Sequence, residues 1–289
     1  MKKILVPVDF SGHTGITCTY AAELAEGNES EIFLFHTYFD QIIITDTSFP
    51  DTLNMSSVYN EELLKDIQNQ ANQMMDSLKA SFEQQLAERW PGGCKVSTRV
   101  VGGEIEHELK LLCSEYHPDM VIMGTTGKGN TLQVWGKVST YIMDHAHVPV
   151  ITVPAIRHFR GFDNIMFASD LGETNEHAIR VLNQLFTPFQ SAIHVVHFAP
   201  KLRAGESFMK MKALEAKLKN EQNHDRISFQ VIEYEEDNQR AIDLFVARNQ
   251  IDLIGFQPHK RSLLSMLFTK KITRKNLFET NIPMIAIPV

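Results

Sequence analysis

Two glycines three residues apart, Gly124 and Gly127, directly follow a short apolar run from Met120 to Met123. A third, Gly136, precedes residues at helical spacing. Such a stretch can hold phosphate. Glycine lets the backbone approach an anion, and the first turn of a helix offers unpaired N–H groups and a favourable dipole. Lys128 and Lys137 could add positive charge. The stretch is not of the P-loop type, because no glycine lies five residues before Gly127-Lys128 or Gly136-Lys137. Beyond the helix comes a second apolar run, Val148 to Val153. Neither run alternates, which marks strands buried on both faces, as in a parallel sheet covered by helices.

The elements around this stretch must bring other groups to it. Lys3 to Val8 reads as a strand, ending at Asp9, and Ser11 can cap a helix over His13 to Ala25. Glu31 to Thr37 is a second strand. Residues Phe39 to Tyr59 are irregular, and Asn60 to Arg89 reads as one long amphipathic helix, with Leu63, Leu64, Ile67, Ala71, Met74, Met75, Leu78 and Phe82 near helical spacing. Pro91-Gly92-Gly93 stops it. A strand at Lys95 to Val101 and a helix at Glu104 to Tyr116 complete the unit. Strands and helices alternate throughout, which predicts an α/β fold with an open parallel sheet wound on both faces and ligands at the carboxyl ends of its strands.

The pattern then repeats. Ile4 to Phe10 matches Ile165 to Leu171, and Ser30 to His36 matches Ser191 to His197, both at an offset of 161 (165 − 4; 191 − 30). Asp119 matches Asp252 (252 − 119 = 133), and Val148 to Pro154 matches Ile282 to Pro288 (282 − 148 = 134). The second copy is therefore 28 residues shorter (161 − 133) between its second and fourth strands. A gap-free offset held over some thirty residues marks a duplication. It predicts a first domain over 1–154, a linker over 155–162 and a second domain over 163–289.

Composition narrows the function classes. The 289 residues are 43% apolar and carry a net charge of −7, which argues against broad nucleic-acid binding. Three scattered cysteines, with no CxxC, fit a reducing compartment. No run is long enough to span a membrane, and the N-terminal apolar run is too short for a signal peptide. A cytoplasmic protein is expected.

The strand ending Val6-Pro7-Val8-Asp9-Phe10-Ser11, the stretch Met123-Gly124-Thr125-Thr126-Gly127 and the helix leading into Val148-Pro149-Val150 together resemble the universal stress protein family, as two tandem copies. The resemblance implies two five-stranded open parallel sheets. Nucleotide-binding members of the family carry glycine, two residues, glycine, nine residues, glycine, then serine or threonine. Here Gly124 and Gly127 match, Gly136 comes one residue early, and Lys137 stands where the hydroxyl residue would be. The resemblance implies that Pro7, Val8, Asp9 and Thr37 hold an adenine, and that Met123, Gly124, Gly127, Gly136, Lys137, Val138 and Ser139 hold ribose and phosphates. The implied ligand is ATP, with or without Mg²⁺, and the implied role is a stress-response regulator with at most weak hydrolysis. In copy two Gln257, Lys260, Lys270 and Lys271 replace the three glycines and the hydroxyl residue, so that copy is expected not to bind ATP. The other reading is a stress scaffold that binds no nucleotide and acts through protein contacts or homodimerisation.

Other groups invite chemistry less directly. His145 and His147 would share one face of a strand and could chelate a metal, although no third ligand suggests itself. His36 and His197 share a repeat position, which favours packing over catalysis. Asp9 and Asp170 could act as bases, cap the next helix or hydrogen-bond a nucleotide base; no triad order accompanies them. The basic stretch His259 to Lys275 is either a solvated helix start or an anion- or membrane-touching segment. The apolar insertion within Phe39 to Arg89 is either a lid, a dimer surface or local core.

Overall fold

The structure is a computed structural model and describes residues 2–25, 29–39, 53–90, 94–125, 137–235, 238–258 and 282–288. Ten strands and seven α-helices are present among them. They form two compact units, Met1–Ile122 and Met123–Val289, and the division falls inside the fourth strand.

The first unit runs β1 (Lys2–Pro7), α1 (Thr14–Ala25), β2 (Ser30–Tyr38), α2 (Leu53–Arg89), β3 (Cys94–Gly102), α3 (Ile105–Tyr116) and β4 (Met120–Gly124), whose last two residues belong to the second unit. Its strands lie in the order β3-β2-β1-β4, all parallel. Ile4, Leu5 and Val6 are successive and fully buried, as are Met120, Val121 and Ile122. Consecutive burial requires cover on both faces of the sheet, as the non-alternating runs predict. Helix α2 begins at Leu53, seven residues before the expected Asn60 (60 − 53). Nothing between the two positions is a glycine or proline, so the polar Ser56 and Ser57 do not break it. Its core contacts come from one stripe, Ala71, Met75, Phe82 and Leu86. None of residues 61–70 is buried, and Leu63 is exposed.

The second unit continues with α4 (Lys137–His145), β5 (Val150–Val153), β6 (Asn164–Ala168), α5 (Asn175–Phe186), β7 (Ala192–Pro200), α6 (Ala204–Leu218), β8 (Ile227–Tyr234), α7 (Asn238–Arg248), β9 (Leu253–Phe256) and β10 (Met284–Ala286). Strand order is β5-β10-β9-β6-β7-β8, parallel except where β10 runs antiparallel to β5. That pairing is locally two-fold. Ile151 lies opposite Ile285, its own counterpart (285 − 151 = 134), with Thr152 opposite Met284 and Val150 opposite Ala286. Strand β5 starts at Val150 rather than Val148, since Pro149 has no N–H to donate.

This start corrects the expectation for His145 and His147. His145 ends α4, stacked on Tyr141 at 4.2 Å with Nδ1 at 2.8 Å from the Tyr141 carbonyl oxygen. His147 lies in the bend beyond, so the two do not share a strand face.

The duplication recurs hydrogen bond by hydrogen bond. Ser30 donates its hydroxyl to Ala25 O at 3.1 Å, and Ser191 donates to Phe186 O at 3.5 Å. His117 and Gln250 both stand at φ +49°, closing α3 and α7. Asp119 Oδ2 accepts the N–H of Lys3 at 2.7 Å while its own N–H donates to Lys3 O at 2.9 Å. Asp252 repeats this with Asn164, at 3.1 and 2.8 Å, and also accepts the Asp163 N–H at 3.1 Å. Each aspartate therefore clamps the start of a central strand. Asp252 is the more buried of the two, and burial raises its pKa above the ordinary carboxylate value. Replacing Asp252 by Ala should cost about 1–3 kcal/mol, and Asp119→Ala about 0.5–1.5 kcal/mol. Urea unfolding of the two variants tests this order, and a larger loss for Asp119→Ala would contradict it.

Candidate functional site

At the carboxyl end of β1 the chain must leave a buried strand and enter α1. Pairing of β1 with β2 sets Pro7 opposite Phe35, and the Val8 N–H continues the ladder to Phe35 O at 2.8 Å. His36 then donates Nδ1–H to Val8 O at 2.7 Å, which fixes that tautomer. Its ring lies 4.3 Å from that of Phe10, tilted by 48°. Phe10 stands at φ +54°, a conformation that bulky side chains adopt only when surrounding contacts impose it. Thr37 follows His36 on β2 and pairs with Val101. The first unit thus brings Pro7, Val8, Asp9 and Thr37 to one end of its sheet.

Asp9 is the distinctive group among them. Its Oδ1 accepts the Ser11 N–H at 3.0 Å and the Thr14 hydroxyl at 3.2 Å, which ties it to the first turn of α1. Its Oδ2 is buried and has no hydrogen-bond partner among the described residues. A buried acceptor left unmet costs about 1–3 kcal/mol, so it calls for a reason.

In the second unit Met123 and Gly124 end β4, and Thr125 N–H donates to Val153 O at 3.0 Å, setting the end of β4 beside β5. Helix α4 spans Lys137–His145. Val138 is half-buried. Ser139 is buried, and its hydroxyl donates to Thr125 O at 3.4 Å, so it tethers α4 to the strand end. Gly127, Gly136, Lys128 and the Lys137 side chain lie outside the described residues, as do Lys260, Lys270, Lys271 and all of the basic stretch at 259–275. Among the described residues no cluster of three or more His, Cys, Asp or Glu could hold a metal ion.

The same strand end in the second copy is built differently. The frame is conserved in geometry: Ser169 N–H donates to Val196 O at 2.8 Å, His197 Nδ1–H to Ser169 O at 2.7 Å, and Leu171 stands at φ +61°. Its interior is filled. Gln257, at the position of Gly124 (257 − 124 = 133), is fully buried, and its Oε1 accepts the Thr174 hydroxyl at 3.1 Å and the Asn175 amide at 2.8 Å. Asn175 also donates to Asp170 Oδ1 at 2.7 Å and lies 2.5 Å from Ser169 Oγ. Asp170 Oδ1 further accepts the Gly172 N–H at 2.9 Å. Thr174 and Asn175 carry no sequence motif. Only the polar residues at the α5 start, in the place of Thr14, hint at them.

The model of the universal stress protein family matches residues 1–154, just over half of the chain. The chain belongs to the universal stress protein family. A universal stress protein of Methanocaldococcus jannaschii is 26% identical over 153 residues, covering 53% of this chain and 81% of its own length. A second from the same organism is 24% identical over 159 residues, covering 53% and 94%. Among solved structures, a universal stress protein from Archaeoglobus fulgidus aligns over 99% of this chain and 98% of its own at a TM-score of 0.58 and 12% identity. A functionally unknown protein from Pseudomonas aeruginosa aligns over 100% and 92% at 0.59 and 14% identity. These two likenesses run the full length of the chain and establish the fold. No helix among the described residues is long and apolar enough to cross a membrane.

The plug in this family member's second copy should be stability-bearing. Gln257→Ala removes the acceptor of the half-buried Thr174 hydroxyl and the buried Asn175 amide and should destabilise by about 2 kcal/mol, read as a shifted urea midpoint. An unchanged midpoint would contradict it. The half-buried His197 ring gives a pH signature. Burial holds its pKa below the ordinary 6.5, so the folded protein prefers the neutral ring. The stability it contributes is complete above about pH 6.5 and is lost as pH falls below that value, where the unfolded chain protonates first. His194 shifts in the same direction by burial. Replacing His197 by Gln should flatten the decline in stability between pH 6.5 and 5.5; an equal decline in variant and parent would refute this.

Proposed function

We propose that the first copy, residues 1–154, binds an adenine nucleotide, ATP with Mg²⁺, and that the protein acts as a stress-response regulator through that binding rather than as an enzyme. A linker over 155–162 joins it to a second copy, residues 163–289, that does not bind nucleotide. The observation that carries this reading is Asp9 Oδ2, a buried carboxylate oxygen at the carboxyl end of β1 with no partner among the described residues. An exocyclic amine on a purine is a donor of the kind it lacks. Open α/β sheets take their ligands at this end of the strands. The phosphate side, Met123, Gly124, Gly127, Gly136, Lys137, Val138 and Ser139, rests on the glycine motif and on α4 beginning at Lys137, where free N–H groups meet an anion. In copy two Gln257 and Asn175 fill the corresponding strand end with their own hydrogen bonds, which supports the asymmetry.

Calorimetric titration of ATP and Mg²⁺ into the full chain is expected to give micromolar affinity with one site per chain. Asp9→Ala should weaken it by at least about tenfold, the loss of one hydrogen bond to a charged group. Gly127→Lys, which copies the second repeat, should abolish it. Two sites per chain would refute the silent second copy. No binding in the parent would overturn the nucleotide reading and leave the scaffold that works through protein contacts.

A further inference from the structure

Helix α6 has two apolar sides, and only one of them is covered. Ala204, Ser207, Met211, Leu214 and Leu218 are buried. On the opposite side Met209, Ala213 and Ala216 follow at helical spacing, all exposed. A short 3₁₀ turn, Lys201–Arg203, leads into the helix, and the Ala204 N–H donates to Lys201 O. That turn carries Leu202, seven positions (209 − 202) and so about two turns before Met209. Leu202 is 99% exposed, Met209 71% and the adjoining Phe208 43%. Scattered single apolar residues are ordinary on a surface, but three large ones projecting from one short segment mark a contact face.

Basic residues border this side. Between 201 and 219 the chain has six, Lys201, Arg203, Lys210, Lys212, Lys217 and Lys219, against Glu206 and Glu215, a net +4 (6 − 2) in a chain of −7. Lys212 and Lys219 lie on one flank and make no ion pair among the described residues. Lys210 and Lys217 lie on the other, paired with Glu206 at 2.6 Å and Glu176 at 3.6 Å. Both pairs are open to solvent, so they are weak and readily exchanged for another anion.

The helix at the same place in copy one has no such side. The outward row of α2 reads Asp66, Asn69, Gln73, Ser77, Ala80 and Gln84, all exposed, with no large apolar side chain. The fold therefore does not demand an apolar outer face here.

We propose that the outer side of α6, with Leu202 at its tip, docks on an anionic lipid bilayer. Leu202, Phe208 and Met209 enter the acyl boundary, and the flanking lysines reach phosphate headgroups with their stems along the apolar layer. Apolar side chains that project, rather than line a groove, suit a fluid surface that needs no matching shape. Three of them are too few for a stable protein interface of about 800 Å² per partner. The rest of the chain carries −11 (−7 − 4) and is repelled by the same bilayer, which leaves this face as the one presented. The proposal does not depend on nucleotide binding.

The experiment sediments the full chain with vesicles of phosphatidylcholine alone or mixed with phosphatidylglycerol. Binding is expected only to the mixed vesicles and should weaken as NaCl rises from about 0.1 to about 0.5 M. Leu202→Ser with Met209→Ser should weaken it at least about tenfold, and Lys212→Gln with Lys219→Gln at least about fivefold. All four residues are exposed, so both variants should fold, which an unchanged urea midpoint checks. Leu202→Trp gives a readout that keeps the apolar group: its emission should move to the blue on mixed vesicles. No sedimentation with the mixed vesicles overturns the proposal and leaves this face to an acidic protein. Binding that survives the loss of Leu202 and Met209, or a Leu202→Trp emission that stays still, puts the contact elsewhere on the chain and overturns it too.

Discussion

A histidine side chain reaching one strand over fixes the functional end of each copy. His36 to Val8 O and His197 to Ser169 O are both 2.7 Å long and occupy the same repeat position. Each closes the ladder at the point where the chain must turn away. Without it the carbonyl would be buried without a donor, because the next residue leaves the sheet. The turn that follows places Phe10 or Leu171 in the left-handed region, and the aspartate before it accepts the N–H two residues further on. At His197 burial favours the neutral ring, so protonation of that ring works against the fold.

On that shared frame the two copies diverge in what fills the strand end. In the first, the chain leaves an acceptor unmet among the described residues. In the second, a glutamine from β9's end and an asparagine from α5 supply each other's hydrogen bonds. Both solutions keep the backbone of the turn. The difference lies in side chains at four positions, Gly124 against Gln257, Thr14 against Asn175, Val8 against Ser169 and His13 against Thr174. The second arrangement resembles a site satisfied by its own side chains. It carries its polar groups paired, except for Gln257 Nε2, which has no partner among the described residues.

Much of the fold is legible in the sequence because its physics is local. Non-alternating apolar runs announced strands covered on both faces, and the gap-free offset announced the second copy. Strand and helix limits fall within a few residues of the expected ones. The exceptions have simple causes: Pro149 delays β5, and serines within a helix-competent stretch hide the start of α2. The His145 and His147 pairing failed for the same reason as the β5 limit. The placement of Val8, Asp9 and Gly124 at strand ends was legible because it depends on backbone. The candidate site was not legible where it depends on contacts across the sheet. Nothing in the order of residues says that Gln257 meets Asn175, 82 positions away.

The antiparallel contact of β5 with β10 bears on how such asymmetry could arise. Its register mirrors each residue onto its repeat counterpart about Ile151 and Ile285. That is the geometry of two identical subunits meeting edge to edge. Between separate identical chains, every mutation appears on both sides of the axis at once. Within one polypeptide the partner edge is always present at high effective concentration, and the exposed edges that invite stray strands are covered without a second molecule. The two halves are then encoded separately. One can drift toward rigidity while the other retains an opening, and a loss that would silence both sites of a symmetric pair silences only one.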